Sequence, residues 1–253
     1  MNKYIANLNR IEFVITYACS GRCKHCSEGS HNASGEHIDA QAAAKAVHEI
    51  ANNYKITSLM TFGGEPLLYP ETVCAIHSEA REMNIQKRQL ITNGFFSKDS
   101  VKIKEVAKNL ADSGVNDILL SVDAFHQEVI PPEPVKEFAS EIKRHGVSLR
   151  TQPAWLVSKE HDNKYNCRTA QILAEFEAIG IFQNDGNIIL PNGNALKYLS
   201  EYFDMSKEYV SPYEENPADI RAISIEPNGD VLGGNIYKTD IMQILESYVP
   251  QDV

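Results

Sequence analysis

Short runs of hydrophobic residues recur along the chain and predict β-strands. The first covers residues 11–16 (IEFVIT) and leads directly into a group of cysteines. Each run is bounded by polar residues, glycine or proline, as is typical of buried strands. The other strands are predicted over residues 57–62, 88–92, 118–122, 147–157 and 186–190.

Apolar residues recur at helical spacing in the segments between these strands. Residues 37–52 place Ala43, Val47, Ile50 and Ala51 on one helix face. Further helices are predicted over 72–83, 99–112, 134–145 and 164–179, the last two closed by glycines. Alternating strands and helices predict an α/β fold, with right-handed crossovers forming a barrel, a partial barrel or an open doubly wound sheet. In each case we expect the functional site at the carboxyl ends of the strands.

The pattern changes after residue 194. Residues 220–226 and 231–232 flank the turn sequence Pro-Asn-Gly-Asp and predict a β-hairpin, while residues 240–248 predict a closing helix. We therefore expect a main unit over residues 1–193 and a small C-terminal extension over 194–253.

Composition and charge exclude several classes of protein. The chain has 253 residues and a formal net charge of −10, which disfavours a general nucleic-acid-binding protein. No apolar stretch is long enough to cross a bilayer, and the first ten residues contain no signal-peptide core. We expect a cytoplasmic protein with neither nucleic acid nor membrane as a partner.

Three of the five cysteines fall within eight residues, in a C-x3-C-x2-C arrangement of Cys19, Cys23 and Cys26. The odd total and the clustering of three cysteines both favour a metal site over a disulfide framework. A structural zinc site needs four ligands, and His25 or His31 would have to supply the fourth. Three thiolates on one short loop instead suit three irons of a [4Fe–4S] cluster whose fourth iron stays open.

This spacing, with an aromatic residue (His25) directly before the third cysteine, resembles the radical S-adenosylmethionine (SAM) superfamily. The resemblance implies a partial (β/α)6 TIM-like barrel with one [4Fe–4S] cluster on Cys19, Cys23 and Cys26. It also implies that SAM binds the open iron and is cleaved reductively to a 5′-deoxyadenosyl radical, which abstracts a substrate hydrogen atom. The segment Gly63-Gly64-Glu65-Pro66, after the second predicted strand, is similar to the segment that binds the SAM amino group.

Residues after the later strands complete the predicted cofactor site. By the same resemblance, Asn93, Ser121 and Arg150 are expected to contact SAM. Asp123 is expected to bind the ribose of SAM or the substrate, and Gln152, on the same strand face as Arg150, is expected to contact SAM. An ordinary Asn-Gly turn is the alternative for Asn93, and a salt bridge to a carboxylate is the alternative for Arg150.

Two residues are candidates for catalysis. His126 is a candidate proton carrier, with a hydrogen-bonded surface histidine as the alternative. Cys167 is a candidate hydrogen-atom donor, with simple packing as the alternative.

The C-terminal sequence ISIEPNGDV, at residues 223–231, resembles the hairpin of SPASM or twitch extensions but has none of their cysteines, so we expect one cluster only. Such relatives often modify ribosomally made peptides, and a peptide is the expected substrate, changed by a crosslink, an epimerisation or a thioether. Because the first strand begins near residue 11, we expect any leader-peptide recognition to come from a separate protein.

Other functions remain open at this point. The alternatives are a small-metabolite substrate, a glycyl-radical-enzyme activase, and a non-enzymatic iron–sulfur or zinc sensor. A reduced flavodoxin or ferredoxin is the expected electron donor.

Overall fold

The structure is a computed structural model that describes residues 2–29 and 35–250. Its strands are β1 (Arg10–Val14), β2 (Ser58–Phe62), β3 (Lys87–Thr92), β4 (Asp117–Leu120), β5 (Ser148–Thr151), β6 (Ala154–Trp155), β7 (Asn187–Ile188), β8 (Ala222–Ile225), β9 (Asp230–Val231) and β10 (Gly234–Asn235). Six of them form one parallel sheet in the order β5-β4-β3-β2-β1-β8. The pairs β6–β7 and β9–β10 form two small separate sheets.

Most of the helices lie between successive strands, and the last one follows the final strand. They are α1 (Ala40–Asn53), α2 (Pro70–Glu82), α3 (Ser100–Ser113), α4 (Ala124–Gln127), α5 (Pro132–Arg144), α6 (Lys164–Glu177), α7 (Gly193–Tyr198) and α8 (Ile241–Ser247). Polar side chains fix several helix starts: Asp39 accepts from the Ala42 N–H, and Asp99 accepts from the Val101 N–H. Gly146, with φ of 77°, follows α5 and allows the left-handed turn that ends it.

The two faces of the main sheet differ in polarity. One row of paired residues runs across five strands as Phe13, Thr61, Leu90, Ile118 and Leu149, all of them buried. Helices α1, α2, α3 and α5 pack side by side and share one hydrophobic core with this row. Because side chains alternate along a strand, the neighbouring residues face the opposite side of the sheet, and these include several polar ones. This arrangement is the partial TIM-like barrel that the sequence predicts.

The sixth strand of the sheet differs from the prediction. Residues 186–190 do not supply it, because β7 pairs only with β6 and both of its residues are exposed. Its place beside β1 is taken by β8, in which Ile223 and Ile225 are buried. The predicted hairpin is also displaced: β8 belongs to the main sheet, and the hairpin forms between β9 and β10.

These shifts affect how the predicted extension relates to the rest of the chain. The boundary after residue 193 stays a prediction, although β8 lies beyond it and pairs with β1. The strand predicted over residues 147–157 is divided into β5 and β6, which join different sheets. In the part of the chain that the structure describes, no helix combines the length and apolar character needed to cross a membrane.

Candidate active site

The three clustered cysteines lie on the loop that follows β1, at the carboxyl end of the main sheet. Cys23 is buried, and Cys19 and Cys26 are partly buried. A Cβ atom on Gly21 would lie 3.2 Å from Cys23 Sγ and 3.7 Å from Cys19 Sγ. The glycine therefore leaves room beside two of the sulfurs, and its N–H donates to Cys19 Sγ over 3.3 Å.

A distant segment holds this cysteine loop in place. Asn194, in α7, donates its main-chain N–H to the Cys26 carbonyl over 2.8 Å and its side-chain amide to the Cys23 carbonyl over 3.1 Å. A Cβ on Gly193 would lie 2.1 Å from the Ser27 carbonyl oxygen, so only glycine permits this approach. The sequence reasoning missed both residues, and the only signal was the turn-forming run Pro-Asn-Gly-Asn at 191–194.

Gly63 and Gly64 run directly beside the start of the cysteine loop. The Gly64 N–H donates to the Thr16 carbonyl over 2.7 Å. Added Cβ atoms would lie 2.5 Å from the Thr16 oxygen at position 63 and 2.2 Å from the Ala18 oxygen at position 64. The glycines are therefore required for two stretches of backbone to pack closely, and both glycines also line the cavity.

Glu65 has a supporting position behind this segment. Its carboxylate is fully buried and accepts hydrogen bonds from the Leu67 N–H, the Thr92 hydroxyl and the Asn93 N–H at 2.9, 2.6 and 2.8 Å. Burial raises the pKa of Glu65 to about 7, and these hydrogen bonds oppose the rise. Glu65 thus ties the glycine segment to the end of β3, while Pro66 opens a short 3₁₀ turn. Neither residue lines the cavity.

The cysteines open into a cavity of about 580 Å³. Of the predicted site residues, the following line it: Cys19, Cys23, Cys26, Gly63, Gly64, Asn93, Ser121, His126 and Gln152. The Asn93 side-chain amide reaches towards the sulfur ligands, with its nitrogen 3.6 Å from Cys19 Sγ and 3.2 Å from Ser20 Oγ. The rim is formed by residues 187–190, 192, 211 and 213, none of which is a predicted site residue.

Asp123 does not itself line the cavity, but it orients His126, which does. Its carboxylate is fully buried and accepts from the main-chain N–H groups of Phe125, His126 and Ala154. It also bonds the Nδ1 atom of His126 over 2.9 Å, which leaves Nε2 of this cavity-lining histidine available. Burial opposes ionisation of Asp123, but the neighbouring imidazoles and hydrogen bonds hold its pKa below the usual value. Burial alone would lower the pKa of His126, and the Asp123 carboxylate raises it.

His25 packs next to this pair. Its ring lies 4.8 Å from the His126 ring and 4.9 Å from the Phe125 ring, measured between centroids. Burial lowers the pKa of His25 to about 4, so the ring is neutral at pH 7. The second histidine considered as a zinc ligand, His31, lies outside the described residues.

The side chains of Gln152 and Arg150 form hydrogen bonds with other side chains of the protein. Gln152 accepts from Asn184 over 2.6 Å and donates to Asn187 over 3.2 Å at the cavity rim. Arg150 pairs with Asp117 at 2.8 and 3.0 Å and does not line the cavity, so the salt-bridge alternative describes its contacts. Contact between Arg150 and SAM stays a prediction.

Cys167 lies apart from the cysteine loop. Its side chain is exposed at the start of α6, donates to Asp162 over 3.4 Å and lines a different cavity. The structure does not bring it together with the other candidate residues, because none of them lines the cavity that Cys167 lines.

The donor set of the cysteine loop fits an iron–sulfur cluster. Burial is the main reason that the pKa of Cys19 rises to about 11, and burial raises the pKa of Cys23 as well. Thiolates at these positions therefore need a cationic group beside them, which iron provides. Glycine at position 21 leaves the space that such a group needs next to two of the sulfurs.

Comparison with known proteins identifies the family. The sequence profile of the Radical SAM superfamily matches residues 13–152, more than half of the chain. The chain belongs to the radical SAM superfamily. It is a radical SAM enzyme, and enzymes of this family use a [4Fe–4S] cluster and SAM.

Two curated relatives are similar over part of the sequence. A probable GTP 3′,8-cyclase of Methanocaldococcus jannaschii is 23% identical over 128 residues, which is 51% of this chain and 41% of the relative. The GTP 3′,8-cyclase of Thermodesulfovibrio yellowstonii is 30% identical over 125 residues, or 48% and 37% of the two chains. The aligned region thus spans less than half of either relative.

Solved structures share the fold over almost the whole chain. Streptococcus suis SuiB bound to the precursor peptide SuiA has a TM-score of 0.58 at 13% identity, covering 96% of this chain and 67% of SuiB. Native anSMEcpe with bound AdoMet has a TM-score of 0.59 at 15% identity, covering 94% and 80%. At these identities the likeness establishes the partial-barrel fold of this radical SAM enzyme and nothing finer.

Proposed function

We propose that Cys19, Cys23 and Cys26 hold the cluster of this enzyme and that SAM binds in the adjoining cavity. The observation that carries the proposal is the convergence of the three thiols with Gly63 and Gly64 in one cavity. When bound, the cluster and SAM together supply a 5′-deoxyadenosyl radical that abstracts a hydrogen atom from the substrate.

Other residues that line the cavity would then contact the cluster and position SAM. Asn93 donates a hydrogen bond towards Cys19 Sγ, and such bonds tune the reduction potential of a cluster. Gly63 and Gly64 bring their backbone against the cavity, where main-chain groups can bind a polar ligand. Ser121 and Gln152 line the same space and offer further polar contacts.

We assign His126 the role of handling a proton of the substrate or of the reaction product. Asp123 fixes its Nδ1 atom, so Nε2 is the atom that faces the reacting groups. Cys167 has no comparable support, because its exposed thiol lines another cavity.

A peptide is the substrate class that we favour. The described residues that line the cavity include Glu28 but no lysine or arginine, so nothing there would neutralise a polyanion. SuiB, of similar fold, was solved with a precursor peptide bound. The modification itself would be a crosslink, an epimerisation or a thioether.

A small metabolite is the second candidate, and the names of the two curated relatives favour it. A nucleoside triphosphate would need cationic partners for its phosphates, and none of the cavity-lining residues in the described ranges supplies one. Among small metabolites, an uncharged or cationic compound therefore fits better. A reduced flavodoxin or ferredoxin as electron donor, and a separate peptide-recognition protein, complete the proposal.

Anaerobic reconstitution with iron and sulfide, followed by SAM and dithionite, tests the cofactor assignment. We expect 5′-deoxyadenosine from the wild type, and neither cluster absorbance nor 5′-deoxyadenosine from Cys19→Ala, Cys23→Ala or Cys26→Ala. Cys74→Ala and Cys167→Ala are the matched controls and should keep both. A fully loaded cluster in any of the three loop variants would overturn the ligand assignment, and a bound zinc ion in its place would overturn the function.

A further inference from the structure

Strand β7 has one unpaired edge among the described residues. It pairs only with β6, through the Asn187 N–H donating to the Pro153 carbonyl and the Ile189 N–H donating to the Trp155 carbonyl, both over 2.9 Å. Alternate residues of a parallel ladder direct their main-chain groups to the same side. The N–H and C=O of Ile188 therefore face away from β6, and they bond to no group in the described ranges.

This edge lies at the mouth of the cysteine cavity. Ile188 lines the cavity and is 46% exposed, and Tyr213 beside it is 72% exposed. The Tyr213 hydroxyl donates to the Asn187 side chain over 2.7 Å, and Gln152 donates to the same oxygen. The rim is thus a hydrogen-bonded unit with apolar side chains at its surface.

The charge of the cavity restricts what can bind along this edge. The titratable groups on its described wall are Glu28, two imidazoles, the three thiols and the Tyr213 phenol. The undescribed residues 1, 30–34 and 251–253 contain no lysine or arginine either. The site therefore favours binding of a neutral or basic peptide and disfavours an acidic one.

We infer that a peptide substrate binds by adding a strand to the outer edge of β7, paired with the main chain of Ile188 and leading into the cysteine cavity. Main-chain hydrogen bonds would provide the affinity, as in other cases of strand addition. This inference rests on the proposed function and adds to it the binding mode and the charge of the substrate.

Ile188→Pro tests the inference on the reconstituted holoenzyme with SAM bound. Proline removes the N–H that would pair with the peptide, and the β6–β7 ladder does not use that N–H. Ile188→Val keeps the N–H and is the matched control. The probes come from a displayed library of random peptides, from which those that bind the wild type are selected. Fluorescence anisotropy measures their dissociation constants.

We expect neutral or basic peptides to be selected and to bind Ile188→Pro about tenfold more weakly, with little change for Ile188→Val. N-methylation along a selected peptide should weaken binding at alternate positions, a readout that leaves the protein unaltered even if Ile188→Pro fails to fold. Selection of no peptide, equal binding by both variants, or N-methylation effects without alternation would overturn the inference.

Two further measurements distinguish strand addition from self-association of the chain and from failure of the cofactor site. Concentration-dependent dimerisation that Ile188→Pro abolishes would overturn the inference, because the edge would then pair with a second copy of the chain. Formation of 5′-deoxyadenosine without peptide is measured in parallel. If that activity is absent, the proposed function fails, whereas peptide binding reports on the edge of β7 independently.

Discussion

The side-chain amide nitrogen of Asn93 lies 3.6 Å from Cys19 Sγ, although the two residues are 74 positions apart in sequence. The side-chain oxygen of Asn93, Oδ1, accepts from the Phe95 N–H over 2.8 Å at the end of β3. One side chain thus caps a turn with its oxygen and reaches a proposed cluster ligand with its nitrogen. Asn93 therefore provides both the turn and the contact to Cys19, and its contact with SAM stays a prediction.

Asn93→Asp keeps the capping oxygen and removes the N–H donor. Loss of a hydrogen bond worth about 0.5–1.5 kcal/mol corresponds to a potential about 20–60 mV lower for a one-electron couple, and the added negative charge acts in the same direction. An electron paramagnetic resonance redox titration measures the shift. Asn109→Asp, on the exposed face of α3, should leave the potential unchanged, and an equal shift in both variants would contradict the assignment.

Gly64→Ala should disrupt the backbone contact beside the cysteine loop. The new Cβ would lie 2.2 Å from the Ala18 carbonyl oxygen, and relieving such a clash costs about 1–3 kcal/mol or more. We expect a lower melting temperature and a reduced iron content per chain. Gly146→Ala is the control for iron content: its Cβ meets nothing within 4 Å, so it should lose about 1 kcal/mol of stability through its φ of 77° and still load iron like the wild type. If Gly64→Ala loads iron like the wild type, the close approach is not required.

Asp123→Asn should destabilise the protein by about 2–4 kcal/mol, since a buried acceptor of several N–H groups is replaced by a side chain that can donate. Anaerobic urea unfolding measures the change. Asp99→Asn alters an exposed helix cap of the same kind and should cost less than about 1 kcal/mol. Similar losses in both variants would show that the buried Asp123 network contributes little.

His77 should make stability depend on pH. Burial, with a smaller effect from Arg88, lowers the pKa of His77 to about 3, and its Nε2 atom lies 3.0 Å from Thr61 Oγ1. The unfolded chain binds a proton near pH 6.5 and the folded chain does not, so stability is complete above pH 6.5 and falls as the pH drops towards 3. Between pH 6.5 and 5 the loss is about 1.5 kcal/mol.

Unfolding free energies at these two pH values test the prediction for His77. His77→Gln removes the titrating group and should flatten this part of the profile. His48→Gln, in which a largely exposed histidine is replaced, should retain the wild-type slope. A slope that survives in His77→Gln would assign the pH dependence to other groups.

Arg150→Gln distinguishes the two interpretations of Arg150. Because Arg150 pairs with Asp117 and does not line the cavity, we expect its replacement to change SAM affinity by less than about threefold. Because the Arg150 side chain is partly exposed, loss of its salt bridge should cost no more than about 1 kcal/mol of stability. Equilibrium dialysis of SAM with the reconstituted protein distinguishes the two interpretations. A loss of SAM affinity of tenfold or more would indicate that Arg150 is a cofactor ligand.

The sequence predicted those parts of the fold that depend on local periodicity. Helix α3 and strand β3 fall within a residue or so of their predicted bounds because their apolar spacing and flanking residues act locally. The sequence did not predict that β8 would pair with β1 across more than 200 residues, since Ile223 and Ile225 suit a hairpin equally well. Pairing partners depend on tertiary packing, which a pattern of alternating residues does not encode.

In the candidate site, too, local motifs could be predicted from the sequence and long-range contacts could not. Cys19, Cys23, Gly63 and Gly64 carry their chemistry in a short motif, and the structure brings them to one cavity. Asn194 could not be found in this way, because its contacts are to main-chain carbonyls and any sequence provides those.

The contacts that hold the cysteine loop in place have a consequence for how the enzyme is synthesised. The loop is supported from far downstream, by Asn194 and by β8, which pairs with the strand that leads into the loop. A nascent chain that has emerged only as far as residue 190 therefore carries all three thiols on a loop without these supports. If these thiols hold the cluster as proposed, iron–sulfur delivery must wait until residues 194–225 have left the ribosome, and a product truncated before them would leave its cysteines open to oxidation.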